Sequence, residues 1–372
     1  MKKGPFSAMR RITAAVVVLG LLRVSGAANG LPLSSSHLRQ VRFSPDGRYV
    51  LAQDDSEVAV LSVQPFSILF EAPAQKATSA EFTPDSKQVV FATSVTQVNS
   101  QQIVIESGAA HVERWNIAGG ARVGFSKVPP QACLSEMLSP DGRVLACVDF
   151  TGTLRLVDVA SAETMFEKKN CASSLAWDYF GEFNPFNKSV LGPAEMDFSP
   201  DGRFFMILPW GGEGAPAAWD LHNKSIVKVT GGLNALKMAA ALNTHFAFVA
   251  PDQVMVGGKG FAKHGVVTSR LVVFPSGRAL SKPKLPRGRL YRAADPNFVL
   301  VRPFGLWARD TPDARAAAVE FATGQVIISD TPALDVFRSY YVAEPRSGEV
   351  GLYERGKGLQ ATVMVAKSPS AH

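Results

Sequence analysis

Short apolar stretches alternate with polar turns along most of this chain, with a period near two inside each stretch. In the first group Val41 and Phe43 alternate with polar neighbours, and strands are expected at residues 49–52, 58–63 and 66–70. Runs of this length and alternation predict half-buried or fully buried β-strands. The grouping then recurs. Residues 80–82 and 89–92 begin a second unit, followed by a Gln- and Ser-containing stretch at 94–102, a short run at 103–105 and an outer strand at 112–115. Residues 134–138, 144–148 and 154–159 form a third; Met196 and Phe198 with 204–208 and 218–221 form a fourth. Three looser groups follow: 246–250, 253–256 and 271–274; then 297–301, 317–321 and 325–328; then 338–342, 350–353 and 361–365.

One tetrapeptide joins the first two strands of the four clearest units. It reads Ser44-Pro45-Asp46-Gly47, Thr83-Pro84-Asp85-Ser86, Ser139-Pro140-Asp141-Gly142 and Ser199-Pro200-Asp201-Gly202. Proline presets the turn, aspartate hydrogen-bonds nearby backbone, and glycine accepts the left-handed position. Because the same residues recur at equivalent places, Asp46, Asp85, Asp141 and Asp201, with Gly47, Gly142 and Gly202, read as turn builders rather than chemical groups. The turn starts are 39, 56 and 60 residues apart, a minimal unit followed by two with insertions, one of them an aromatic-containing segment at 169–190. Trp219-Asp220 ends a third strand, with Trp115-Asn116 and Val157-Asp158 in comparable places.

These turns and the Trp-Asp pair resemble the WD40 and WD40-like propeller superfamily, in the form of divergent bacterial SPDG repeats. The resemblance spans residue 40 to the C-terminus and is strongest through Asp220. It implies an all-β chain: a single β-propeller of four-stranded antiparallel blades, most simply seven, with six or eight as alternatives. Blades stacked in a ring bury their apolar faces on one another. The closing blade of related propellers often mixes N- and C-terminal strands, so residues 31–35 are expected to pair with the last blade.

The N-terminus changes the charge picture. Lys2, Lys3, Arg10 and Arg11 precede a short apolar core at 12–22, and small residues follow at 25–28, the layout of a signal peptide. Residues 1–28 are therefore read as an export signal and 29–372 as the propeller. The formal net charge is +7, but the leader carries five basic and no acidic residues, leaving +2. No clustered basic face is implied, and no nucleic-acid partner is expected. Three cysteines make no disulfide-rich framework; Cys133 and Cys147 flank one turn and are candidates for a single disulfide, against the alternatives of pairing with Cys171 or staying buried and free.

No catalytic or metal-binding motif emerges, and no cofactor fingerprint. The six histidines, His37, His111, His222, His245, His264 and His372, are isolated in sequence and read as surface or turn residues. Candidate binding positions lie in three loops: Trp210 in a glycine-rich segment, Lys259 and His264 in a second, and Phe304, Trp307 and Arg309 in a third. Aromatic and arginine side chains commonly anchor contacts. The leading expectation is an exported, periplasmic or secreted scaffold that binds a protein or envelope component without catalysis. The alternative is a lactonase-like propeller hydrolase or lyase with a polar or metal site at the central channel, which His245 or His264 meeting two carboxylates would favour. A cofactor-bearing propeller oxidoreductase ranks below both.

Overall fold

In a computed structural model of the chain the repeated hairpins become seven four-stranded antiparallel sheets, each strand paired with its neighbour in sequence order. The structure describes residues 38, 40–54, 57–74, 77–93, 111–127, 133–149, 152–169, 171, 194–209, 216–234, 244–258, 266–286, 288–302, 316–329, 334–346 and 348–365. The blades run Gln40–Pro73, Ala77–Lys127, Cys133–Lys168, Ala194–Val227, Thr244–Ser281, Arg289–Ser329 and Asp335–Met364. Blade 5 carries an extra two-stranded ribbon, Val266–Thr268 with Lys284–Pro286.

Both faces of the middle strands are apolar because each blade is sandwiched between two others. In the second strand of blade 1, Val50 and Ala52 pack towards blade 7 while Leu51 packs towards blade 2. In blade 4, Phe205 and Ile207 face blade 3, and Met206 and Leu208 face blade 5. The described core divides into seven clusters, one at each junction between neighbouring blades. The cluster joining Val41, Phe43 and Leu61 to Val342, Val350 and Leu352 closes the ring. Seven blades and seven interfaces leave no end blade with a bare face.

The four Ser/Thr-Pro-Asp turns are nearly superimposable in their bonding. The Ser44, Thr83, Ser139 and Ser199 hydroxyls donate to the following aspartate at 2.6–2.7 Å. The same hydroxyls accept the N–H groups of Tyr49, Gln88, Val144 and Phe204, which start the second strands. The fourth turn residue is left-handed in each, at φ 73° for Gly47, 57° for Ser86, 65° for Gly142 and 72° for Gly202. Glycine at position 47 has a second cause: a Cβ there would stand 2.1 Å from the Phe337 ring of blade 7.

Several strands depart from the sequence expectation. Residues 112–115 lie in the third strand of blade 2, not the outer one, which is Ala121–Lys127. The outer strands Thr164–Lys168 and Ser225–Val227, and the innermost strands Arg289–Arg292 and Asp335–Phe337, add to those expected. Residues 297–301 therefore fall in the second strand of blade 6, and Arg338 sits in a turn. The four strands of blade 7 all come from the C-terminal region; residues 31–35, expected to join it, lie outside the described residues.

Candidate functional site

The first strand of every blade is innermost. These strands lie beside one another around an axis, and their inward side chains line a cavity of about 330 Å³. Its wall carries Gln40 and Arg42 from blade 1, Ser79 and Glu81 from blade 2, Glu136 from blade 3, Asp197 from blade 4, and Tyr291 and Arg292 from blade 6. Met137, Met196, Phe246 and Leu290 supply the apolar part.

Most of this polarity is already engaged. Glu81 pairs with Arg42 through a short charge-assisted hydrogen bond and lies 3.6 Å from the Arg292 guanidinium. Arg292 also donates to Phe198 O at 3.1 Å, and Gln40 donates to Ala80 O at 2.9 Å. Burial works against the Arg42 charge, yet Glu81, Asp335 and Asp197 around it hold its pKa above the ordinary value. Asp197 accepts the N–H groups of Phe198 at 2.9 Å and, from blade 5, Phe248 at 2.8 Å. Burial pushes its carboxyl up to about 6, against the pull of Arg292 and the Phe248 amide.

Asp335 makes the same kind of link on a larger scale. Its carboxylate accepts the N–H of Phe43 in blade 1 at 2.9 Å, of Ala294 in blade 6 at 3.0 Å and of Val336 in its own strand at 2.8 Å. One fully buried side chain thus ties together the last, first and sixth blades. Burial raises its pKa, opposed by Arg42 and these three amides.

Glu136 differs from all of these. Its Oε1 is buried and has no hydrogen-bond partner among the described residues, and burial pushes the carboxyl up to about 7. It pairs across the hairpin with Cys147 just as Val41 pairs with Ala52, Ala80 with Phe91 and Met196 with Ile207. Counted back from the turn, the other three blades with a Ser/Thr-Pro-Asp turn place a valine, an alanine or a methionine where blade 3 places a carboxylic acid.

A second cavity of about 350 Å³ opens among the turns at one end of the axis. Six prolines line it, Pro45, Pro84, Pro140, Pro200, Pro251 and Pro296, one from each of blades 1 to 6. Pro251 and Pro296 thus mark the divergent turns of blades 5 and 6. Ring constraint makes such a mouth stiff.

The loop candidates Trp210, Lys259, His264, Phe304, Trp307 and Arg309 all lie outside the described residues. His245 is buried in the first strand of blade 5, and His111 is half-buried in a strand with its Nε2 2.7 Å from Thr93 Oγ1, so neither is a surface or turn histidine. Among the described residues no three His, Cys, Asp or Glu side chains converge as a metal site. Cys147 is disulfide-bonded and Cys171 is buried and free; Cys133 lies on the strand paired with that of Cys147. The axial residues Arg42, Glu81 and Asp197 were missed in the sequence. Each stands two positions before a turn serine or threonine, and that repeated polar interruption of an apolar strand was the available signal.

No family model matches this chain, and no curated protein does. Solved structures do. The hydrazine synthase of Kuenenia stuttgartiensis aligns over 89% of this chain and 100% of its own at 12% identity, with a TM-score of 0.51. The β-propeller domain of Cps50 (Swd1) from Myceliophteria thermophila aligns over 86% of this chain and 96% of its own at 12% identity, with a TM-score of 0.49. At this identity the likeness to the first is one of fold alone. The chain is a seven-bladed β-propeller of four-stranded antiparallel blades.

Proposed function

We propose that this chain is a divergent bacterial SPDG propeller, exported to the periplasm or beyond, that acts as a binding scaffold for a protein or envelope component. The observation that carries the reading is the state of the axis. Arg42 and Arg292 share Glu81 as a partner, and Asp197 and Asp335, close enough to act on these arginines, also accept backbone amides between blades. Groups committed in this way hold a ring together and are poor proton donors or acceptors for a substrate. The proline-lined mouth offers a stiff, largely apolar surface that loses little freedom on binding. The leader-like residues 1–28 support export.

Fractionation of a bacterial host making the full chain tests the location, with loss of residues 1–28 read by mass spectrometry. A photo-crosslinking residue at exposed Asp201, beside the mouth, should give a discrete adduct in that fraction that the same residue at Ile226, on an outer strand, does not. Turnover of lactones or esters, lost on Glu81→Gln, would replace the scaffold reading with the hydrolase one.

A further inference from the structure

We infer that the axial cavity is a binding site for a small organic cation, an ammonium group on a compact apolar body, with Glu136 as its counter-ion. Three observations converge. Glu136 Oε1 is buried with no hydrogen-bond partner among the described residues, although the side chain borders a cavity of about 330 Å³. A buried acceptor left open is costly and calls for an occupant. The acid also breaks the repeat, standing where Val41, Ala80 and Met196 stand in other blades. A local rule broken at one repeat out of several marks a site kept for something other than packing.

The charge of the wall selects the ligand. Three carboxyl groups, Glu81, Glu136 and Asp197, face two guanidinium groups, Arg42 and Arg292. The two arginines are held by Glu81 and by the carbonyls of Arg292 and Phe198, so neither is available to an incoming anion. With Glu81 and Asp197 set against Arg42 and Arg292, the group left over is Glu136, which carries one surplus negative charge whenever it is ionised. Met137, Met196, Phe246 and Leu290 on the same cavity wall suit an apolar body, and the volume is at the small end of ligand cavities. The cavity adjoins the proline-lined mouth, sharing Arg42, Glu81, Pro140 and Arg292 with it, but cation binding at Glu136 needs no protein partner.

Ionisation supplies a signature. At pH 7 the carboxyl is close to half-protonated, so binding a cation should expel about half a proton per site. The other charged and titratable groups on the cavity wall, Arg42 from blade 1, Glu81 from blade 2, Asp197 from blade 4 and Arg292 and Tyr291 from blade 6, form the background to that exchange.

The test uses the full chain and three probes, phenethylammonium, butylammonium and choline, with 2-phenylethanol as the uncharged match for the first. Isothermal titration at pH 7 in two buffers of different ionisation enthalpy measures affinity and proton release together. At least one cation should bind with a Kd below about 1 mM, release protons, and bind about tenfold or more tightly than the alcohol. Glu136→Gln should lose that preference. Glu136→Met, which restores the residue type of blade 4, should fold at least as well and bind no cation. The inference is overturned if all three cations fail to bind, if the alcohol binds equally, or if either variant binds the cation as the parent does.

Discussion

Removing the Asp335 carboxylate should unfasten the ring. In Asp335→Ala the N–H groups of Phe43 and Ala294, bound at 2.9 and 3.0 Å, lose their acceptor on opposite sides of blade 7. The Phe43 amide and that of Val336, which Asp335 also accepts at 2.8 Å, are buried out of reach of water, whereas Ala294 is half-buried. Each orphaned amide costs about 1–3 kcal/mol, so the pair should cost about 2–6 kcal/mol. That is a large part of the 5–15 kcal/mol typical of a whole domain, taken here as an order of magnitude. Arg42 loses one of the carboxylates that sustain its charge, which adds in the same direction.

Urea denaturation followed by tryptophan fluorescence and by circular dichroism measures this directly. The midpoint should fall with the slope unchanged if the ring still unfolds as one unit. Asp335→Asn keeps one carbonyl oxygen, and with it an acceptor for some of these amides, so its loss should be smaller. Asp335→Ala within about 1 kcal/mol of the parent would refute the closure role, because two buried amides cannot go unpaired for so little.

Three further outcomes follow from the same geometry. Gly47→Ala should cost about 2–5 kcal/mol, combining left-handed strain with overpacking against Phe337; Gly356→Ala, at φ 78° with nothing within 4 Å of the new methyl, should show the strain alone. Stability should fall as pH rises from 5 to 8. Asp197 and Glu136, lifted to about 6 and about 7, keep protons in the folded chain that the unfolded chain has released, and each separation is worth about 3 kcal/mol. Asp46, Asp85, Asp158 and Asp220 are held low by their hydrogen bonds, so they act the opposite way but below that window; Glu136→Gln should flatten the slope between pH 5 and 8. If Cys147 is bonded to Cys133, Cys133→Ser should lower stability by about 3 kcal/mol, the chain-entropy value for a loop of about 15 residues, in a urea titration without reductant.

The fold was legible where one physical demand fell on one short segment. A left-handed hairpin turn asks for glycine or a tolerant residue, and a strand sandwiched between blades asks for apolar residues on both faces, so residues 44–52 and 139–148 announced themselves. Outer strands such as Ala121–Lys127 and Arg278–Ser281 did not, because they are largely solvent-facing and need no apolar pattern. Two innermost strands, those of blades 6 and 7, failed for a different reason. Arg289–Arg292 and Asp335–Phe337 are short and carry charged residues towards the axis or the neighbouring backbone, which breaks the alternation. The axial site assembles Arg42, Glu81, Glu136, Asp197 and Arg292 from five blades across 250 residues, and no local spacing encodes that meeting.

The axis holds two kinds of buried charge, and they bear differently on function. The Arg42–Glu81–Arg292 group and Asp335 resemble the polar locks that specify one arrangement of an otherwise generic apolar stack. Hydrophobic faces of similar shape could tolerate a slipped or reordered blade, whereas the hydrogen bonds that Asp335 accepts from Phe43 and Ala294 fit one neighbour on each side. Such groups are costly to desolvate, and they offset the cost by being fully paired. Glu136 bears the desolvation without the pairing. Stability alone would replace it with the methionine or valine found in sister blades. Its presence beside an open volume is therefore the strongest sign, among the described residues, that the axis has a task beyond closing the ring.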